Sequence, residues 1–212
     1  TMLKLSKYSK FEFGIKVDIF SPEFIIEISN NPPPNLKLFV LPAKNLENLP
    51  YLVEILHNKN FKVILETTSL KQAKRGEEIG VDGVIAKGNE AGGWVSNEMA
   101  FILLQQFLSH LTLPVLVQGG IGLHTSPACY AAGAKGVVLD SQMFLTPESP
   151  LPKSIKSKIA SMDGNETECV GTKLGEPYRI YNKPNLPIID KIHKEEEKLY
   201  TAGILDINIE KW

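Results

Sequence analysis

The sequence predicts an α/β protein built on a parallel sheet. Six short runs rich in Val, Ile and Leu recur along the first 140 residues, each nearly continuous in apolarity, as strands buried on both faces are. Segments of helical periodicity lie between successive runs, and such strand–helix–strand alternation joins parallel neighbours through right-handed crossovers. Glycine concentrates just after three of the runs, where α/β proteins place their ligands.

The first strand is expected over Phe11–Ile19, followed by a helix over Pro22–Ser29 behind Ser21. Leu36–Leu41 is the second strand, and Leu46–His57 the second helix, with Leu49, Leu52, Val53 and Leu56 three to four apart. After the third strand, Phe61–Glu66, the cluster Thr67-Thr68-Ser69 offers an N-cap to a helix over Leu70–Ile79. Val81–Ala86 is the fourth strand. Asn97–His110 then places Ala100, Phe101, Leu103, Leu104 and Leu108 on one broad apolar face. Pro114–Gln118, a short small-residue helix over Ser126–Ala132, and Gly136–Asp140 complete the series. Past Pro147 the pattern changes: residues 147–186 are rich in Pro, Lys, Ser and Gly, and Pro187–Tyr200 reads as one more helix with a charged face from Lys194 to Lys198. The expected organisation is a sheet domain over 1–146 and a C-terminal extension over 147–212, a helical tail packed on that domain as a lid or connector.

Composition narrows the function classes. The chain has 212 residues, with 23 basic side chains against 24 acidic, so a net charge of −1 supplies no field for a polyanion. No Lys/Arg block with interleaved aromatics appears, which excludes nucleic acid as a partner. No stretch approaches the roughly 18 apolar residues of a membrane span, and the lysines of Thr1–Lys7 have no apolar run behind them, unlike a signal peptide. Cys129 and Cys169 give neither metal spacing nor a disulfide framework and fit a reduced cytoplasm. A soluble cytoplasmic protein that takes a small-molecule ligand is the expectation.

Three segments carry the candidate chemistry. In Asp82-Gly83-Val84-Ile85-Ala86-Lys87-Gly88-Asn89-Glu90-Ala91-Gly92-Gly93-Trp94 a strand ends in Lys87-Gly88, and a glycine pair follows an acidic residue. That loop reads either as a wrap around a planar or anionic group or as a long tight turn. Gln118-Gly119-Gly120-Ile121-Gly122 follows the next strand, where successive glycine N–H groups can form an anion-binding concavity. Gly136–Asp140 ends in Ser141, a further donor. Two neighbouring strands ending in Gly-Gly and Ser suggest the phosphate site of a barrel. Glu66, at a strand end, is costly to bury unpaired and should face a cation or ligand in the mouth. His124, just after the glycine pair, could face the ligand. His57 and His110 read as caps or surface residues, His193 as solvated, and Cys129 as a small core residue.

Together these segments resemble the nitronate monooxygenase / 2-nitropropane dioxygenase family of FMN-dependent (β/α)8 TIM barrels, which also contains flavin-dependent enoyl reductases of fatty-acid and polyketide synthesis. The matching stretches are DGVIAKGNEAGG, LPVLVQGGIG and AGAKGVVLDSQMFLTPES, and the likeness runs over about residues 11–200. Asp163–Thr167 and Gly171–Arg179 also look like the family's C-terminal segment. The form AKGNEAGGWV, FILLQQ and ESPLP looks most like the barrel domain of bacterial type I polyketide and polyunsaturated fatty-acid synthases. The resemblance implies an FMN-dependent oxidoreductase domain acting on a small-molecule or acyl-thioester substrate, with synthase domains as partners.

By the same resemblance, the FMN phosphate lies against Gly119-Gly120 and the Asp140-Ser141 strand end, while Lys87, Gly88, Gly92 and Gly93 border the isoalloxazine. Lys16 stands where an asparagine often meets the flavin; Glu66 and Gln118, placed at strand ends by the reading of the residues themselves, complete the expected cofactor-binding set. Lys87, Gln118 or His124 would polarise a substrate carbonyl. Three departures stand out. Trp94 holds the place of the family's catalytic histidine, and an indole neither takes nor gives a proton near pH 7. Asp140 replaces a glycine beside the phosphate, where a carboxylate repels unless paired or turned away. Phe13–Val17 looks like the family's third strand, so six βα units stand where the barrel has eight, and its first two strands are lacking. A six-strand remnant exposes two parallel edges unless a partner, a flanking segment, or Thr1–Tyr8 with the tail covers them. The departures open an alternative, a degenerate non-catalytic barrel that scaffolds a megasynthase. A phosphate-binding barrel for a sugar or thiamine-type phosphate needs only the Gly-Gly and Ser141 features and leaves EAGG unexplained.

Overall fold

The computed structural model describes residues 10–17, 22–44, 47–183 and 187–204. Strands β1 (Phe13–Lys16), β2 (Leu36–Pro42), β3 (Lys62–Thr67), β4 (Gly83–Lys87), β6 (Val115–Gln118) and β7 (Gly136–Val138) pair in that order, all parallel, into one six-stranded sheet. Helices α1 (Pro22–Asn30), α2 (Leu49–Asn58), α3 (Leu70–Glu78), α4 (Ala100–His110) and α5 (Thr125–Ala132) connect them. A two-residue strand, β5 (Gly93–Trp94), leaves the mouth of the sheet and joins a second, antiparallel sheet in the order β5-β9-β8, with β8 (Thr167–Val170) and β9 (Tyr178–Tyr181). Helices α6 (Lys153–Ala160) and α7 (Ile188–Thr201) flank that hairpin.

The alternation of the strands explains the curvature. On the convex face Phe39, Leu41, Val63, Leu65, Val84, Ala86, Val115 and Val117 are buried beneath Leu49, Leu52, Val53, Leu56, Leu103, Leu104 and Phe107 of the helices. On the concave face, Leu38, Val40, Ile64, Leu116 and Val138 are only half-buried. The sheet is thus a curled half-barrel whose described residues leave the interior partly open. At the end opposite the mouth, Asp82 Oδ2 accepts from Val63 N (2.8 Å) and pairs with His57 Nε2 (2.9 Å), fixing β3 against the start of β4.

The element types expected from the sequence are present over 22–140, with shifts at the ends. The first strand covers Phe13–Lys16 rather than Phe11–Ile19, and residues 18 and 19 lie outside the described residues, as do Leu46 and the segment Thr1–Tyr8. The helix expected from Asn97 begins at Ala100, because Asn97–Met99 form the turn that brings Glu90 to its first N–H. The strand expected to run to Asp140 stops at Val138, and Asp140 has an irregular backbone (φ −108°, ψ −119°). The largest correction concerns the tail. Read as helical, it also contains the β8–β9 hairpin, which pairs Gly93 with Arg179 and Trp94 with Tyr178. Four-residue strands interrupted by glycine turns carry too short an alternation to stand out from a Pro/Gly-rich background.

Glu196 anchors the tail. Its buried carboxylate accepts from Gly171 N (3.1 Å) and Lys173 N (2.8 Å), capping the turn between β8 and β9 from α7. His193, expected to be solvated, bonds Glu168 Oε1 at 2.8 Å and lies 3.4 Å from Glu196 Oε2. The bond to Glu168 raises its pKa above the ordinary imidazole value, partial burial opposes this, and Glu196 adds to the rise. A raised histidine stabilises the fold fully below about pH 6.5 and loses that contribution as pH rises through its folded value. The urea midpoint should therefore fall between pH 6 and pH 9 more steeply for the parent chain than for His193→Gln; equal slopes would remove His193 from the tail's attachment.

Candidate active site at the mouth of the half-barrel

Parallel strands deliver their C-terminal residues to one rim, and here that rim is polar. Lys16 ends β1, Glu66 is the penultimate residue of β3, Lys87 ends β4 and Gln118 ends β6. Register places Pro42 opposite Glu66, Glu66 opposite Ile85, and Lys87 opposite Gln118. Glu66 is 3% exposed, and its two oxygens meet two ammoniums, Lys16 Nζ at 2.7 Å and Lys87 Nζ at 3.2 Å. The Lys16 side chain reaches over β2 to do so. Burial pushes the Lys87 ammonium below the usual lysine range; Glu66 opposes that shift and Lys16 adds to it. Lys87 is therefore a buried donor that gives up its proton more readily than a surface lysine.

These groups line a cavity of about 340 Å³ together with Pro42, Lys44, Gly92, Gly93, Trp94, Asp140 and Tyr178. Gln118 is 5% exposed; its Nε2 donates to Asp140 Oδ2 (3.4 Å), and its Oε1 has no hydrogen-bond partner among the described residues. A buried acceptor without a donor costs about 1–3 kcal/mol, so the site is built for a ligand N–H or O–H. Asp140 Oδ2 also accepts from Gly92 N at 3.2 Å.

A second cavity, of about 660 Å³, lies on the other side of Asp140 and Gly92, which belong to both linings. Gly119, Gly120 and Ser141 form one end of it, and Phe144, Ile155, Ile159, Met162 and Ile180 give it apolar walls. Lys158 and Arg179 set two cations against its two carboxylates, Glu90 and Asp140. Arg179 ties the loop after β4 to β8: its Nε donates to Asn89 O and its Nη1 to Thr167 Oγ1 (3.1 Å).

Three glycines have local causes. A Cβ on Gly88 would lie 2.1 Å from Ala100 N and 2.3 Å from Glu90 Oε2, so only glycine lets Glu90 cap α4 through Ala100 N (2.9 Å). Gly88 lines neither cavity, and its place in the sequence pattern is accounted for by that cap. Gly119 takes φ +118° and Gly120 φ +60°, a turn held by Thr125 Oγ1, which accepts from Gly122 N and donates to Gly120 O, both at 2.7 Å.

Of the residues singled out in the sequence, the smaller cavity brings together Lys16, Glu66, Lys87, Gly92, Gly93, Trp94, Gln118 and Asp140, and the larger adds Gly119, Gly120 and Ser141. His124 is different: it is exposed at the start of α5, makes no side-chain cap there and lines neither cavity. Lys44, Tyr178, Arg179 and Lys158 were not foreseen. Lys44 lies two residues beyond a strand-ending Pro42, a position that marks the mouth, whereas the others come from the hairpin and α6. Glu66→Ala should cost about 3–5 kcal/mol in urea denaturation, because it strands the Lys87 charge. Adding Lys87→Met should restore a large part of that loss; a double variant as unstable as Glu66→Ala would contradict the pairing.

Residues 39–202 match the family described as nitronate monooxygenase. A (3aS,4S,5R,7aS)-5-hydroxy-7a-methyl-1-oxo-octahydro-1H-indene-4-carboxyl-CoA dehydrogenase of Rhodococcus jostii is 32% identical over 124 residues, 57% of this chain and 34% of its own length. A protein of Staphylococcus saprophyticus described as a probable nitronate monooxygenase is 29% identical over 143 residues, 60% of this chain and 39% of its own. The chain thus spans little more than a third of these curated relatives. Among solved structures, FabK from Thermotoga maritima is similar with a TM-score of 0.79 and 25% identity, over 94% of this chain and 63% of that one. A nitroalkane oxidase from Streptomyces ansochromogenes shares the fold at 18% identity and a TM-score of 0.68, over 95% of this chain and 74% of its own. With most of its length matched, and with the mouth of a curled parallel sheet as its candidate site, the chain belongs to the nitronate monooxygenase family.

Proposed function

We propose that this chain carries the cofactor-binding and reacting part of an FMN-dependent oxidoreductase of the nitronate monooxygenase / enoyl reductase type. The observation that carries the reading is the pair of cavities meeting at Asp140 and Gly92, one ending on the Gly119-Gly120 turn and the other on buried Lys87 and Gln118. Both volumes fall in the range of small-molecule sites. The Gly119-Gly120 backbone and Ser141 are suited to a phosphate, and the unpartnered Oε1 of Gln118 suits a ring N–H. Gly92 and Gly93 present no side chain to a flat ring. These residues fit the cofactor, and FMN when bound supplies hydride or electron transfer from its ring.

The protein groups then have distinct tasks. Glu66 holds Lys16 and Lys87 at the mouth, and Lys87 offers a proton or hydrogen bond to a developing oxyanion on the substrate. Trp94, buried in β5 against Tyr178, contributes a wall rather than a base. That favours reduction of an activated double bond, such as that of an acyl thioester, over base-assisted oxidation of a nitronate. Asp140, tied to Gly92 and Gln118, stands between the cavities. A ligand spanning both must displace it or pass beside it.

The chain is further proposed to be six strands of an eight-strand barrel, with residues 1–146 as the barrel part and 147–212 as the extension. The half-buried concave face and the partial coverage of FabK support this. Association with polyketide or fatty-acid synthase domains rests on the sequence likeness alone. A second reading, a non-catalytic scaffold barrel, is favoured by Trp94 being engaged in the β5–β9 pairing. The two readings separate on the visible spectrum of the purified chain after FMN addition and desalting. Retained flavin bands support the enzyme, and Asp140→Gly should raise retention by removing the carboxylate. A parent chain and an Asp140→Gly variant that both stay colourless would overturn the flavin reading.

A further inference from the structure

Tyr178 opens β9, and register sets it directly opposite Trp94 of β5. Opposed residues of an antiparallel pair send their side chains to the same face about 5 Å apart, and here both line the smaller cavity. The phenol ring is held in place. It packs against the core, and Lys44 Nζ lies 5.7 Å from its centroid and 5.4 Å from that of Trp94, within cation–π range of both. The hydroxyl is not held: it has no hydrogen-bond partner among the described residues. It ends over Gly93, where a Cβ would lie 3.6 Å from it and meet no other residue within 4 Å. Gly93 belongs to the cavity lining, so the hydroxyl is presented to the interior across a residue that has no side chain. By contrast, Glu66 engages Lys16 and Lys87, and Asp140 engages Gln118 Nε2.

We propose that Tyr178 is a catalytic residue of this cavity, donating its hydroxyl hydrogen bond to the carbonyl oxygen of the substrate. A phenol keeps its proton at neutral pH, so the group is a donor there and not a base. The proton stays on the phenol throughout, and no bond to it is made or broken. A donor fixed before the substrate arrives stabilises negative charge that develops on that oxygen, and it does so without reorganising. Being uncharged, it reads a carbonyl without requiring an anionic ligand. The inference rests on the reading of this cavity as the substrate site and adds the residue that recognises the substrate's oxygen.

The test is a calorimetric titration of the flavin-free chain with two ligands. One is S-butanoyl-N-acetylcysteamine, a saturated acyl thioester; the other is S-butyl-N-acetylcysteamine, the thioether that lacks only the thioester oxygen. The parent chain should bind the thioester about fivefold more tightly. Tyr178→Phe keeps the ring against Trp94 and should abolish that preference by weakening the thioester alone, with its urea midpoint unchanged. Tyr130→Phe, exposed on α5, should leave the preference intact. A parent chain without the preference, a preference that survives Tyr178→Phe, equal weakening of both ligands, a fall in the variant's urea midpoint, or no saturable binding would each overturn the proposal. A chain that retains flavin yet shows no such preference loses this inference alone, and one that shows it without retaining flavin loses the cofactor reading alone.

Discussion

A carboxylate buried in the middle of a parallel sheet is the constraint around which this site is organised. Glu66 sits on the third of six strands, and its charge is tolerable only because ammoniums arrive from both sides, Lys87 from the adjacent strand and Lys16 from across β2. The intervening strand offers Pro42 at the paired position, a residue too short to intrude. The sheet must be curled for Lys16 to reach. The same curl brings the ends of β4 and β6 together and makes the mouth concave. The cost of desolvating Glu66 and Lys87 is offset by their attraction to each other and by that of Glu66 for Lys16, which stays partly exposed. What the arrangement provides in return is a depressed, well-placed ammonium at Lys87.

Around that triad the fold divides its labour unequally. The convex face is a dry layer of Val, Leu, Phe and Ala beneath the helices and supplies the hydrophobic stabilisation. The concave face and mouth carry polar groups whose hydrogen bonds are incomplete, Gln118 above all. The C-terminal hairpin is a working part of the mouth. Through Arg179 it grips the loop after β4, through Tyr178 it faces Trp94, and Glu196 and His193 of α7 hold the hairpin in turn.

Much of this was legible in the residues themselves. Continuous apolar runs announced buried parallel strands, and placing Lys87, Gln118 and the Gly119-Gly120 pair at strand ends located the mouth without reference to any relative. A buried Glu66 demanded a cation by elementary electrostatics, although nothing in the sequence said that it would find two. The hairpin was opaque because four-residue strands show two alternations at most. Lys44 and His193 were opaque for another reason: their roles come from contacts with residues more than 20 positions away. Gly88 and His124 show the converse hazard. Both stand in suggestive motifs, yet Gly88 makes room for a helix cap and His124 points its chemistry at neither cavity.

The proposed function requires that the two cavities separated by Asp140 form one flavin site. A crystal structure of the chain grown with FMN decides this. A single site gives density for a phosphate against Gly119, Gly120 and Ser141, with the ring bordered by Lys87 and Gln118 and Asp140 withdrawn from Gly92 N. Flavin bound elsewhere, or cavities that remain divided by an unmoved Asp140 at saturating FMN, would contradict it.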